Sequence, residues 1–270
     1  MNPPVALTIA GSDSGGGAGI QADLKTFAAL GVFGSSAVTA VTAQNTAEVR
    51  AVHPMPGAVV RAQVDAVLDD LPVAAVKTGM LASAEIVAVV AELAAAGRLP
   101  NLVVDPVMVS STGTRLLDAD AETLYRTRLL PAAAVCTPNL WEAGVLVGRE
   151  LPMLTDQRAA ARELAARTGG IVVVTGGHAT PDAAGRSVDV VAGGGREELV
   201  TRDRIDTSNT HGSGCSFASA VAAHLARGDD VVGAVTAAGG YVHRAIVGGA
   251  RWRLGAGHGP LDHFGWEEHE

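Results

Sequence analysis

Short apolar segments alternate with segments of helical periodicity along almost the whole chain, and this alternation constrains the fold more than any other feature. Residues 5–10, 74–78 and 102–105 are typical of buried strands, and each precedes a stretch with apolar residues at spacings of three and four. Parallel strands need crossover connections, which are usually helices. The chain is therefore predicted to form an α/β fold with a central, mostly parallel sheet between two helical layers.

The remaining segments extend this pattern without dividing the chain. Residues 187–192 and 197–202 predict a hairpin, and helices are predicted at 214–226 and 230–247. We find no repeat or long linker, so we predict one domain over residues 1–270. In open parallel sheets, ligands bind at the carboxyl ends of the strands. By this rule, one rim of the sheet should contain Gly11 and residues 42–45, 78–80, 105–108, 137–142 and 175–178.

A polar, glycine-rich stretch at residues 207–215 runs directly into one of the predicted helices. A turn of this kind leaves backbone N–H groups free at a helix N-terminus, where the helix dipole also favours an anion. Cys215 lies in the first helical turn, so its thiol pKa is expected to fall. The stretch predicts an anion hole suited to phosphoryl transfer. A tight turn beside a small buried cysteine is the competing interpretation.

Charge and apolar content exclude several classes of protein. The formal net charge is −8 and no basic cluster is present, so we expect no nucleic-acid partner. The longest apolar segments are too short to span a bilayer, so we expect no membrane association. Cys136 and Cys215 match no zinc-binding spacing. The N-terminus lacks the pattern of a signal peptide, and we expect a cytoplasmic protein.

The loop at residues 11–19 contains two nucleotide-binding motifs in incomplete form. Gly11 and Gly16 have the spacing of a phosphate-binding loop, but Gly17 and Ala18 stand where lysine and serine or threonine are required. Residues 17–22 fit a relaxed dinucleotide-binding pattern, yet the pattern starts too far from the strand, and no acidic residue lies near position 40. The loop argues against a nicotinamide or flavin enzyme.

Seven motifs occur in order along the chain. They are GSDSGGGAGIQADLKTF (11–27), AQNT (43–46), KTGML (77–81), DPVM (105–108), TPNxxE (137–142), GGH (176–178) and NTHGSGC (209–215). Together they resemble the hydroxymethylpyrimidine/phosphomethylpyrimidine kinases, a family of the ribokinase-like superfamily. The resemblance runs from about residue 5 to 264 and includes a C-terminal signature at 257–264. It implies a ribokinase-like α/β/α fold and two phosphorylations of 4-amino-5-hydroxymethyl-2-methylpyrimidine by ATP with Mg²⁺, in thiamine biosynthesis.

The resemblance also implies a phosphate-binding half of the active site. Gly212, Ser213 and Gly214 would form the anion hole, and Cys215 would activate the hydroxymethyl group or else only shape the hole. Asn139 as a helix N-cap and His211 as a structural histidine stay open as alternatives. The remaining assignments are Asn139, Thr175 and His211 to ATP, and Asp105 and Glu142 to Mg²⁺, which prefers oxygen ligands.

The other half would recognise the pyrimidine. The Gln44 amide offers a donor and an acceptor together, which complements a ring nitrogen beside an amino group. Asp23 would contact the substrate directly or through water, or serve only as a charge near a helix N-terminus. Met80 could instead be ordinary core. The further substrate-binding assignments are Gly11, Ala18, Met80 and Val107.

Three positions depart from the family pattern. Thr175 stands where many members have lysine, residues 111–114 lack the charges of the usual lid sequence, and Ser213 replaces threonine. A pyridoxine or pyridoxal kinase of the same fold is the nearest alternative, and a non-catalytic pyrimidine-binding protein is an alternative of another class. The resemblance suggests a homodimer.

Overall fold

The computed structural model describes residues 2–108, 119–177 and 184–266. Within these ranges, nine strands form one sheet. The strands are β1 (Val5–Asp13), β2 (Phe33–Gln44), β3 (Val49–Pro54), β4 (Val73–Thr78), β5 (Val103–Val104), β6 (Val135–Cys136), β7 (Ile171–Val174), β8 (Arg186–Gly193) and β9 (Arg196–Asp203).

The sheet is parallel through its centre and antiparallel at both edges. Its order is β3-β2-β1-β4-β5-β6-β7-β8-β9, and the six strands from β2 to β7 in this order run parallel. β3 pairs with β2, and β8 with both β7 and β9, in antiparallel fashion. The prediction of a mostly parallel sheet is confirmed, and the hairpin predicted at 187–202 is the β8–β9 pair.

Eight α-helices in the described residues connect or follow the strands. They are α1 (Gly19–Ala29), α2 (Gly57–Asp70), α3 (Ala84–Ala95), α4 (Ala119–Leu124), α5 (Leu140–Val147), α6 (Leu154–Thr168), α7 (Ser213–Ala226) and α8 (Val231–Gly249). Ser83 caps α3, since its side chain accepts from the Ile86 N–H. The helical segment that begins with α4 is less regular: a π-helical turn, Tyr125–Leu129, and a 3₁₀ turn, Leu130–Ala132, follow α4.

Alternate residues of the central strands belong to two separate hydrophobic cores, which establishes three layers. Val104 and Cys136 pack into a core with α2 to α6, whereas their neighbours Val103 and Val135 pack into a core with α1, α7 and α8. Because successive strand side chains point to opposite faces, both faces are covered. Among the described residues, the helices are all too short or too polar to cross a bilayer.

Candidate active site

A cavity of about 730 Å³ opens at the carboxyl ends of the central strands, where the sequence predicts the ligand rim. Its lining comes from the ends of the strands β1, β2 and β4, the segments after β5, β6 and β7, and the N-terminus of α7. Of the predicted site residues, all except Asp23 line it. They are Gly11, Ala18, Gln44, Met80, Asp105, Val107, Asn139, Glu142, Thr175, His211, Gly212, Ser213, Gly214 and Cys215.

The segment before α7 has the geometry of an anion hole. Gly212 caps the helix with a φ of +82°, and a Cβ at this position would overlap the carbonyl oxygen of Gly17, so the position requires glycine. The Ser213 N–H donates back to the Thr210 carbonyl oxygen (3.1 Å). The N–H groups of Gly214 and Cys215 have no backbone acceptor within the described ranges. These two N–H groups and the α7 dipole are available to an anion.

The expected fall in the thiol pKa of Cys215 is wrong for the protein as described. Burial raises the pKa of the Cys215 thiol to about 12, and the lowering by the positive charge of Lys77 does not offset it. The carboxylates of Asp105 and Asp23 raise the pKa further, whereas a hydrogen bond from the Gly19 N–H lowers it. The position at a helix N-terminus is therefore outweighed by desolvation and by two nearby negative charges.

Asp23 does not reach the cavity, so its assignment to the substrate is also wrong. Its carboxylate is fully buried and accepts from the Lys77 Nζ at 2.9 and 3.0 Å. The hydroxyls of Thr8 (2.6 Å) and Ser219 (2.7 Å) donate to the same carboxylate. Every partner comes from another element of the fold, so Asp23 joins α1 to β1, β4 and α7 beneath the cavity floor.

Asp13 is a site residue that we did not predict. Its carboxylate accepts from the backbone N–H groups of Gly15 (2.8 Å), Gly17 (3.1 Å) and Ala18 (2.8 Å), and from the His211 Nε2 (2.9 Å). Burial alone would raise the pKa of Asp13, but the hydrogen bonds from His211, Gly15 and Ala18 outweigh it and lower the pKa. An aspartate that opens a glycine-rich turn was the available signal, since aspartate side chains bond nearby backbone N–H groups.

One side of the cavity, which we call the Gln44 wall, comprises the loop at residues 11–19 with Gln44, Met80 and Val107. The Ser14 hydroxyl donates to the Gln44 carbonyl oxygen (2.7 Å) and accepts from the Gln44 N–H (2.8 Å). The Gln44 Oε1 accepts from Thr42 (3.3 Å), and no side chain of the described residues accepts from its Nε2. The backbone of Gln44 is fixed while its amide keeps a donor for a ligand.

The opposite side, the Asp105 wall, comprises Asp105, Thr137, Asn139, Glu142 and Thr175. The Oδ2 of Asp105 and the Oγ1 of Thr137 are buried and have no hydrogen-bond partner in the described part of the chain. Burial raises the pKa of Asp105 to about 6, although Lys77 lowers it. Burial also raises the pKa of Glu142 well above its ordinary value, and the Asp105 charge adds to this.

Asn139 has the helix-capping role that the sequence left open. Its Oδ1 accepts from the Glu142 N–H, and the Glu142 Oε2 accepts from the Asn139 N–H, each at 2.9 Å. This capping box begins α5 at the cavity, with Asn139 as the N-cap and Leu140 as the first helical residue. The Thr175 N–H donates to the Pro138 carbonyl oxygen (2.9 Å). His178 and residues 111–114 lie outside the described residues.

Trp141 and His258 also line the cavity and were missed by the sequence analysis. Trp141 occupies an unspecified position of the TPNxxE motif and is 52% exposed. His258 belongs to the C-terminal signature, whose Gly259 carbonyl oxygen accepts from the His211 N–H (3.1 Å). Because a residue of variable type carries no motif signal, only the folded chain reveals these two.

Comparisons with known proteins give consistent results. The family model described as phosphomethylpyrimidine kinase matches residues 13–262. A hydroxymethylpyrimidine/phosphomethylpyrimidine kinase of Streptomyces coelicolor is 51% identical over 98% of this chain and 96% of its own. A Bacillus subtilis pyridoxal kinase in complex with ADP has a TM-score of 0.90 and 38% identity, covering 98% of this chain and 99% of its own. A phosphomethylpyrimidine kinase from Clostridium difficile has a TM-score of 0.78 and 38% identity, covering 90% and 99%.

Proposed function

The chain belongs to the phosphomethylpyrimidine kinase family, and from this premise we propose how its cavity transfers phosphate from ATP to a hydroxymethylpyrimidine and then to the monophosphate. It is a phosphotransferase of thiamine biosynthesis. The observation that carries the residue-level proposal is that the α7 N-terminus and Gln44 line the same cavity. A ring held at Gln44 presents its hydroxymethyl group toward an anion hole that receives the transferred phosphoryl group.

The Gln44 wall holds the pyrimidine. The Gln44 amide pairs with the ring nitrogen and the exocyclic amino group, while Ala18, Met80 and Val107 contact the ring and its methyl group. A Cβ on Gly11 would overlap the Met80 side chain, so glycine there lets Met80 lie across the pocket. Met80 therefore serves the pocket as well as the core.

The Asp105 wall holds the nucleotide and its Mg²⁺. The unpartnered oxygens of Asp105 and Thr137 fit a cation that takes hard oxygen ligands, and Glu142 lies beside them. No group of three or more metal-ligating side chains occurs in the described residues, which suits an ion held partly by phosphates and waters. When bound, Mg²⁺ neutralises charge on the phosphates. Asn139, Thr175 and His211 border the path of the nucleotide phosphates.

Cys215 is the proposed proton acceptor for the first transfer. In that step the hydroxymethyl oxygen forms a bond to the γ-phosphorus, the bond to the ADP oxygen breaks, and the hydroxyl proton leaves. Because the pKa of the thiol is high in the free protein, Cys215 accepts this proton only after the thiol has released its own proton to solvent, and the charge of Lys77 favours that release. In the second transfer the nucleophile is a phosphate oxygen that is already largely ionised at neutral pH, with a second pKa of about 6.

The two transfers therefore give an internal control for Cys215. Cys215→Ser should lower kcat for the first phosphorylation by roughly two orders of magnitude and for the second by less than about fivefold. Single-turnover measurements with the hydroxymethylpyrimidine and with its monophosphate separate these steps. Equal losses in both steps would show that Cys215 only shapes the anion hole.

A pyridoxal kinase is the second candidate, because solved structures of pyridoxal kinases share this fold closely. The deciding experiment measures ATP turnover with Mg²⁺ and either hydroxymethylpyrimidine, its monophosphate, pyridoxal or no acceptor. Turnover with both pyrimidines above that with pyridoxal supports the proposal. A preference for pyridoxal would reassign the Gln44 wall, and no turnover with any acceptor would support a pyrimidine-binding protein.

Two further assignments rest on the family. We propose one kinase domain over residues 1–270 and a homodimer, for which the edge strand β3 and the β8–β9 hairpin are candidate contact regions. Light scattering of the purified protein tests the dimer.

A further inference from the structure

Residues 12–14, the end of β1 and the first residue of the loop that follows, lie between the two halves of the active site and contact both. The Ser12 carbonyl oxygen accepts from the Thr42 hydroxyl (2.8 Å), and Ser14 forms the two backbone hydrogen bonds that fix Gln44. The residue between them, Asp13, bonds His211 instead, 198 positions away in the chain. One short stretch thus bonds the segment that reads the ring and the segment that forms the anion hole.

The bond between Asp13 and His211 is shielded and ionic in character. Asp13 is 3% and His211 5% exposed. Since the Asp13 pKa is lowered, its carboxylate is charged at neutral pH. A hydrogen bond to a charged acceptor in such surroundings is stronger and shorter than a neutral one. A displacement of residues 12–14 should therefore move His211 as well, because solvent is largely excluded from this hydrogen bond.

The backbone segments on either side of this bond are also packed tightly against each other. A Cβ on Gly212 would overlap the Gly17 carbonyl oxygen, and a Cβ on Gly17 would overlap the His211 ring. The same carboxylate fixes the N–H groups of Gly17 and Ala18. Ala18, on the Gln44 wall, and Gly212, at the anion hole, are therefore held by one rigid unit.

We propose that Asp13 and His211 act as a positioning pair that couples occupation of the Gln44 wall to the geometry of the anion hole, so that the pyrimidine and the nucleotide strengthen each other's binding. The inference rests on the proposed function. A ring that packs on Ala18 and Gln44 favours one position of this rigid unit, and in that position Gly212 and the following N–H groups bind phosphate. By thermodynamic linkage the effect is reciprocal.

Calorimetric titration tests this coupling. The dissociation constant of hydroxymethylpyrimidine is measured for the wild-type protein alone and in the presence of Mg²⁺ with a non-hydrolysable ATP analogue. We expect the analogue to tighten pyrimidine binding by about tenfold, within the usual range for coupled sites. We call the dissociation constant without the analogue divided by that with it the coupling ratio. In His211→Ala this ratio should fall below about twofold, while the affinity for the pyrimidine in the absence of nucleotide should change by a smaller factor.

His224→Ala is the matched control, because the His224 Nδ1 also bonds a carboxylate, that of Asp229 (2.6 Å), at the far end of α7. This variant should keep the wild-type ratio. His211→Gln, whose amide can donate near the position of Nε2, should restore most of the coupling, and Asp13→Asn should abolish it. The Gln and Asn variants keep the test decisive if His211→Ala does not fold.

The results separate this inference from the proposed function. A wild-type ratio near one, or an unchanged ratio in both His211→Ala and Asp13→Asn, would overturn the coupling even if the wild-type protein phosphorylates the pyrimidine. If the wild type neither turns over nor binds the pyrimidine, the proposed function fails first and the coupling with it. The coupling is supported if the ratio falls toward one in the Asp13→Asn and His211→Ala variants, the wild type turns over the pyrimidine, and His224→Ala keeps the wild-type ratio.

Discussion

The carboxylates on the two walls of the cavity differ in their hydrogen bonding and in the direction of their pKa shifts. On the Gln44 wall, Asp13 accepts four hydrogen bonds from the protein, and its pKa is lowered. On the Asp105 wall, Asp105 has an oxygen without a hydrogen-bond partner in the described part of the chain, and its pKa is raised to about 6. The carboxylate of the first wall is satisfied by the protein itself, whereas under the proposed function that of the second would be satisfied by charges that arrive with the nucleotide.

The difference indicates which carboxylates contribute to the stability of the fold and which contribute to activity. A buried, fully bonded carboxylate supports the fold, and its loss leaves partners unsatisfied. A buried carboxylate without partners weakens the fold and is tolerated where function requires it. Substitutions should therefore act on stability at the satisfied carboxylates and on catalysis at the Asp105 wall.

The largest expected effect concerns Asp23, a fully buried carboxylate that bonds a buried charge and two hydroxyls. Asp23→Asn should lower the free energy of unfolding by about 3–5 kcal/mol, because the buried Lys77 charge would lose its closest partner and keep only Asp105, whose carboxylate lies 3.9 Å away. Urea denaturation measures the change. The matched control is Asp69→Asn, which removes the partner of Arg98 (2.7 Å) at the surface and should cost less than about 1 kcal/mol. Similar costs for the two variants would contradict the distinction.

The next effect concerns catalysis. Asp105→Asn should lower kcat/KM by roughly two to three orders of magnitude, because the site would lose a negative ligand for Mg²⁺, whose positive charge would stabilise the transferred phosphoryl group. The free energy of unfolding at pH 7 should not decrease, since the carboxylate is poorly satisfied in the free protein. Steady-state kinetics and urea denaturation of the same preparation check both parts. Destabilisation comparable to that of Asp23→Asn would place Asp105 among the structural carboxylates.

A smaller effect is expected at Gln44. Gln44→Ala should raise KM for the pyrimidine by about tenfold, because ring donors and acceptors lose their partners, and should leave KM for ATP nearly unchanged. Gln63→Ala is the control, since Gln63 bonds the backbone of Val38 away from the cavity and should alter neither KM. Equal losses for the two substrates would remove Gln44 from the ring-binding role.

The smallest effect concerns the pH dependence of stability, which should have opposite signs for Asp105 and Asp13. The folded protein retains a proton on Asp105 between about pH 3.8 and 6, where the unfolded chain has lost it, so this residue lowers stability as pH rises through that window. Asp13 has a lowered pKa, so its contribution is present above about pH 3.8 and is lost on acidification. Relative to wild type, Asp105→Asn should gain on the order of 1 kcal/mol as pH rises from 4 to 6.5, whereas Asp13→Asn should lose stability as pH rises toward about 3.8 and should change little above that pH. Changes of the same sign would contradict the comparison of the walls.

The sequence predicts the order of elements, the rim and most of the lining because these follow from periodicity and from local glycine-rich turns. It does not predict the partners of Asp13 and Asp23, which come from segments distant in the chain. It also gives the wrong direction for the pKa of Cys215. The local signal there was the helix N-terminus, while burial beside Asp23 and Asp105 exists only after the sheet and α7 assemble.

The attachment of His211 to Gly259 has a consequence for the order in which the site matures during synthesis. The His211 N–H bonds the Gly259 carbonyl oxygen, and Ser216 bonds the side chain of His263, so the anion hole is anchored to residues made later than its own motif. A nascent chain that already extends to Cys215 still lacks these anchors. Because translation adds about 5–20 residues per second, a few seconds separate the completion of the motif from the completion of the site. The nascent enzyme therefore cannot use its phosphate-binding segment in its finished form until this later segment has docked.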